Sequence, residues 1–138
     1  MIYELKDTSK AASLFAGWQD SVVWSAVQGV MGKIYVDSVE EPESGAVILG
    51  DFCFLSGKTT EEMALFCPED CKSEELILVP QNNDWAQMIE KCYGEMAQKI
   101  VRYAIKKEPG IFDLEKLREV ASSLPREYEM KLMDQELF

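Results

Sequence analysis

Lys33-Ile34-Tyr35-Val36-Asp37, the acidic turn Glu40-Glu41-Pro42-Glu43-Ser44-Gly45, and then Ala46-Val47-Ile48-Leu49-Gly50-Asp51-Phe52-Cys53-Phe54-Leu55-Ser56-Gly57: the reading of this stretch decides the fold. It reads as two strands joined by a hairpin. In the first, Ile34 and Val36 share one face and Tyr35 and Asp37 the other, by the two-residue period of a strand. The carboxylates, Pro42 and Gly45 mark a solvated turn. Residues 46–55 are apolar on both faces, which predicts a single central strand covered on both sides and ended by Gly57.

Toward the N-terminus, Asp7, Thr8 or Ser9 caps a first helix bearing Ala12, Leu14 and Phe15. A second helix runs from about Trp18 to Met31. Its stripe is Trp18, Val22, Ala26 and Val30, widened by Val23 and Val27, with Trp24 directed elsewhere. Gly29 and Gly32 terminate it.

Toward the C-terminus, Thr59 and Glu62 have the spacing of a capping box, while Glu62–Cys67 is short enough for helix or strand. Leu76-Ile77-Leu78-Val79 predicts a buried strand stopped by Pro80. Asn83 caps a helix with Trp85, Met88, Ile89 and Cys92 on one face, closed by Gly94. Residues 97–106 predict a further strand broken by Pro109-Gly110. Asp113 opens a helix with Leu114, Leu117, Ala121 and Leu124, which Pro125 stops. Tyr128–Met133 alternates like a final strand. Strands interspersed with helices make one α/β domain over residues 1–138, with no internal repeat or low-complexity linker.

The 138 residues are enough for a core without staples. A formal net charge of -11 argues against nucleic acid or an anionic membrane surface as partner. No apolar run approaches the ~20 residues of a membrane span. No basic segment feeds an apolar stretch at the N-terminus, so no signal peptide is expected. Cys53, Cys67, Cys71 and Cys92 sit mainly in apolar patterns, suiting reduced thiols in a soluble cytoplasmic protein.

The chain contains no histidine. Histidine general bases, Ser-His-Asp and Cys-His triads, and imidazole zinc sites are thereby excluded. Cys67-Pro68-Glu69-Asp70-Cys71 is neither a redox pair nor a complete metal site, and no metal is expected. Cys53 and Cys92 read as packing thiols. The glycines form no phosphate-binding fingerprint; Gln28-Gly29-Val30-Met31-Gly32 follows a helix instead of joining strand to helix. Asp51 is the carboxylate that stands out, because an unpaired charge inside an apolar strand is costly. A polar pocket of Tyr35, Asp37 and Asp51 is one reading, and a strand-end carboxylate the other. Lys99, Arg102, Lys106 and Lys107 form a basic island that balances nearby carboxylates or meets a phosphate or acidic domain. Trp18, Trp24 and Trp85 read as core or interface anchors.

Ile2-Tyr3-Glu4-Leu5, Trp24 with Gln28–Gly32, Ile48–Phe54, Val79-Pro80-Gln81 with Trp85, and Arg102-Tyr103 with Lys106-Lys107 resemble a bacterial branch of the GNAT acetyltransferases. The branch is similar to the acetyltransferases associated with zwittermicin resistance. The resemblance implies a mixed, largely antiparallel sheet with flanking helices. Such proteins are about twice this length, and their C-terminal half carries the acetyl-coenzyme A fold with an Arg/Gln-x-x-Gly-x-Gly/Ala loop. Nothing here satisfies that pattern, since Gln28 is followed by Met31 where the first glycine belongs. The resemblance therefore implies the N-terminal half of an N-acetyltransferase, inactive alone. Such a half shapes the acceptor pocket or packs on its own C-terminal catalytic domain. It implies no cofactor in this chain, acetyl-CoA in the full-length family, and no catalytic residue that can be carried over. Tyr35, Asp37 and Asp51 are the expected contacts to a small amine. The alternative is a noncatalytic interaction or regulatory domain with a homodimer partner.

Overall fold

A computed structural model of the chain describes residues 1–69, 76–103, 108–129 and 131. It divides into two compact units, Met1–Lys99 and Ile100–Phe138. The first holds a five-stranded sheet in sequential order: β1 (Tyr3–Glu4), β2 (Lys33–Val36), β3 (Ser44–Leu49), β4 (Phe52–Gly57) and β5 (Ile77–Pro80). β1 through β4 pair antiparallel, and β5 joins β4 in parallel. The sheet is thus mixed and largely antiparallel, with helices flanking it, as the resemblance implies.

The single strand expected over 46–55 is in fact two. Gly50 and Asp51 form a tight turn between β3 and β4, with Gly50 at φ +57°. A two-residue hairpin loop with a positive φ at its first position matches the right-handed twist of the flanking strands. The apolar residues on either side conceal this turn, because both strands it joins are buried on both faces.

Those two faces have different covers. Ile34, Val36, Val47 and Phe54 belong to a cluster with Phe15, Val23, Ala26 and Val27. Tyr35, Ala46, Ile48, Cys53 and Leu55 belong to a second cluster with Met63, Trp85 and Ile89. The register explains the division, since Ile34, Val47 and Phe54 are cross-strand neighbours, as are Tyr35, Ala46 and Leu55. Both clusters are apolar, and side chains alternate between them along every strand.

The cover of the first face is shorter than the periodicity predicts. Thr8–Ala11 is a 3-10 turn capped by Asp7, whose side chain accepts from Ser9 N. α1 (Ser21–Val27) starts after Asp20, which accepts from Val22 N. It ends where Gly29 turns to φ +70°, with Gly29 N bonded to Ala26 O and Val30 N to Ser25 O. This paired closure satisfies the last carbonyls and leaves Val30 exposed beyond the helix. Trp24 is half-buried and tied inward, its Nε1 donating to Trp18 O at 2.7 Å.

The second face is covered by α2 (Glu61–Ala64) and α3 (Asn83–Tyr93). Thr60, one residue after Thr59, caps α2, and Asn82, one residue before Asn83, caps α3. Trp85 and Ile89 are buried, Met88 and Cys92 pack beside them, and Gly94 closes the helix. β5 is half-buried along its length, so Leu76–Val79 is less enclosed than its composition suggests. The short strand β1 carries too little pattern to be read from the chain.

Among the described residues, 97–103 and 128–129 form no strand; 104–107, 130 and 132–138, on which the remainder of those two expected strands falls, lie outside the described residues. In the second unit α4 (Leu114–Ser122) begins at Asp113, which accepts from Glu115 N and Lys116 N. No described helix is long and apolar enough to cross a membrane.

Candidate functional site

The parallel pair β4–β5 sets where a ligand site can form. In open α/β sheets ligands gather beyond the carboxyl ends of parallel strands, where the following helices present their N-termini. Here those ends are Gly57 and Pro80, and the helices that follow are α2 and α3.

The polar groups at this end are engaged with one another. Gly57 N donates to Gln81 Oε1 at 3.0 Å, and Trp85 Nε1 donates to Gly57 O at 3.0 Å. Thr60 Oγ1 accepts from Met63 N at 3.2 Å, and Asn82 Oδ1 accepts from Trp85 N at 3.1 Å. Gln81 N in turn donates to Leu55 O. Gly57 N and the amides of Met63 and Trp85, in the first turns of the two helices, are therefore already bonded within the chain.

The helix entries at this end carry acidic side chains. The first turn of α2 holds Glu61 and Glu62, and that of α3 holds Asp84. Glu61 is held below its ordinary pKa first by the hydrogen bond from Lys91 and then by that ammonium's charge. Glu62 pairs with the N-terminal ammonium at 2.7 Å, and Lys58 pairs with Glu43 at 3.4 Å. Carboxylates favour helix N-termini, and they compete with any phosphate that would use the same dipole.

Tyr93 ties α3 to α2, its hydroxyl donating to Ala64 O at 3.1 Å. Burial, followed by the nearby Cys53, Cys67 and Cys92 thiols, pushes its phenol above the ordinary pKa. It therefore stays protonated at neutral pH and holds structure. The described residues contain no group of three or more His, Cys, Asp or Glu arranged to hold a metal ion. Asp70 and Cys71 of the Cys67–Cys71 segment lie outside the described residues.

The three expected acceptor contacts are not brought together. Tyr35 is buried in the second cluster, its ring 4.8 Å from that of Phe66. Asp37 Oδ1 accepts from Glu43 N and Ser44 N, both at 3.1 Å, which closes the β2–β3 turn. Asp51 is exposed at the tip of the opposite turn, where its carbonyl accepts from Ile77 N at 2.7 Å. β3 separates the two aspartates, roughly 17 Å of strand at about 3.4 Å per residue. Alternation places residues on a face but says nothing of their position along the strand. Of the basic island, Lys99 pairs with Glu90 at 2.9 Å, and Lys106 and Lys107 lie outside the described residues. That Gly57, Thr60, Gln81 and Asn82 meet at one end of the sheet was not read from the chain, although a capped short helix between two apolar strands is a signal for a parallel crossover.

Comparison with known proteins adds the family. No curated protein matches the chain. The crystal structure of a GCN5-related N-acetyltransferase-like protein from Streptococcus suis 89/1591 superposes with a TM-score of 0.71 at 35% identity. The match covers 96% of this chain and 52% of that one, so this chain spans about half the length of that relative. The family model for GNAT acetyltransferase matches residues 12–138, and the chain belongs to that family.

Proposed function

We propose that this chain is the N-terminal, substrate-shaping and packing half of an N-acetyltransferase that moves an acetyl group from acetyl-CoA to a small amine. In this reading the chain is inactive alone and a C-terminal half holds the cofactor. One observation carries it: the carboxyl end of the β4–β5 pair is lined by its own caps and carboxylates. Gly57 N is bound by Gln81, Thr60 and Asn82 cap their helices, and Glu61, Glu62 and Asp84 line the helix entries. A pyrophosphate here would compete with Gln81 for Gly57 N and with the Glu61, Glu62 and Asp84 carboxylates for the helix dipoles. The relative's greater length supports the division of labour.

On the acceptor side, Tyr35 and Asp37 have structural duties, and Asp51 is our candidate contact. Its carboxylate stands at a turn tip, where it can meet an ammonium group without a burial cost. Cys53 is buried among apolar side chains and Cys92 packs beside them, the usage expected of reduced thiols in a cytoplasmic protein.

Calorimetric titration with acetyl-CoA tests the proposal, on the 138-residue chain and on the product of its complete reading frame. Binding by the longer product alone is expected. Saturable binding by the 138 residues overturns it.

A further inference from the structure

Every residue of α4 is exposed except the half-buried Ala121. Leu114, Leu117 and Val120 are respectively 60%, 50% and 61% exposed, and with Ala121 they form one side of the helix. Leu124, just beyond, extends it. Glu115 and Glu119 point the other way, so the helix is amphipathic in the manner of one that lies on a surface.

Two magnitudes limit what that surface can be. Isolated helices shorter than about 12–15 residues are marginal in water, and α4 has nine residues. Its apolar side must therefore be covered if the helix is to persist. It is about 13 Å long on a cylinder roughly 10 Å across, on the order of a few hundred Å². A stable complex between separate molecules buries about 800 Å² per partner. The α4 face by itself is too small to hold a second copy, but sufficient for a neighbour on the same chain, where effective concentration reaches about the millimolar range.

We propose that α4 is an intramolecular docking helix, whose Leu114–Leu117–Val120–Ala121 side seats on the second half carried by a protein of the Streptococcus suis type. This inference rests on the two-half reading above and goes further, naming the surface that joins the halves. The match runs through residue 138 in the family model, and the relative has nearly as much chain again.

Amide hydrogen exchange at residues 114–122 tests it, in the 138-residue chain and in the product of the complete reading frame. In the shorter chain, exchange within about tenfold of the unstructured rate is expected. In the longer product, slowing of about a hundredfold or more is expected. Leu117→Glu should abolish that slowing, and Glu119→Gln on the opposite side should leave it. Protection in the 138-residue chain overturns the proposal: concentration-dependent protection assigns the face to a second copy, and concentration-independent protection to the chain itself. Lack of protection in the longer product also overturns it, as does a reading frame ending at Phe138. Acetyl-CoA binding by the longer product is scored separately, so a cofactor-binding protein with an unprotected α4 sinks the docking inference alone.

Discussion

Trp85 Nε1 donates a 3.0 Å hydrogen bond to the carbonyl oxygen of Gly57, joining the first turn of α3 to the last residue of β4. The indole is fully buried, so the bond is shielded from water and its loss leaves a carbonyl in need of a partner. Trp85→Phe keeps most of the ring and removes the donor. A loss of about 1–3 kcal/mol is expected. Urea denaturation checks it, and an unchanged midpoint would show that water replaces the indole.

Gly57 and Gly50 are both at positive φ but differ in surroundings. A Cβ on Gly57 would lie 2.1 Å from Glu43 O and 2.3 Å from Leu14 Cδ1, whereas one on Gly50 meets nothing within 4 Å. Gly50→Ala should cost about 1–2 kcal/mol for the left-handed backbone alone. Gly57→Ala should cost more, because the hairpin must also open. Equal thermal shifts for the two variants would remove the steric part of the argument.

Ser44 and Ser56 are both fully buried, on opposite faces of the sheet. Ser56 Oγ donates to Leu14 O at 2.7 Å and accepts from Trp18 Nε1 at 3.3 Å, while Ser44 Oγ has no partner among the described residues. Ser56→Ala should destabilise by about 1–3 kcal/mol. Ser44→Ala should be neutral or stabilising, since an unsatisfied hydroxyl is removed. Denaturation midpoints that move together would sink the contrast.

The Glu61–Lys91 pair sets a pH dependence. Its hydrogen bond, and then its charge, lowers Glu61 from 4.5 and raises Lys91 from 10.5. The lowered carboxylate contributes stability above 4.5 that disappears as pH falls through its folded value. The raised ammonium contributes stability below 10.5 that disappears as pH rises through its folded value. Both groups are exposed, so added salt weakens the link. Lys91→Met should flatten the acid limb of a melting-temperature profile below pH 4.5. An acid limb identical to that of the parent would show that the pair contributes nothing.

Asp51→Asn tests the acceptor proposal in the product of the complete reading frame. The fold should be unaffected, because the side chain is exposed at the turn tip. KM for the amine should rise by roughly tenfold, about 1.4 kcal/mol, with kcat little changed, since an ion pair to the ground state has been removed. An unaltered KM would exclude Asp51 from the acceptor site.

The β2–β3 hairpin, the Gly57 stop, the Gly94 closure and the Asp113 cap were legible in the chain, because each depends on neighbours a few residues away. So was the two-faced burial around Val47 and Phe54, which an unbroken apolar run implies when side chains alternate between the faces of a strand. The Gly50-Asp51 turn was hidden, because apolar strands on both sides of it read as one. Only tertiary structure paired β5 with β4 in parallel, brought Gln81 and Trp85 onto Gly57, and set Asp37 and Asp51 at opposite ends of β3. These relations span residues distant in the chain. Local propensity carries no information about which strand a crossover returns to, or which end of it a side chain reaches.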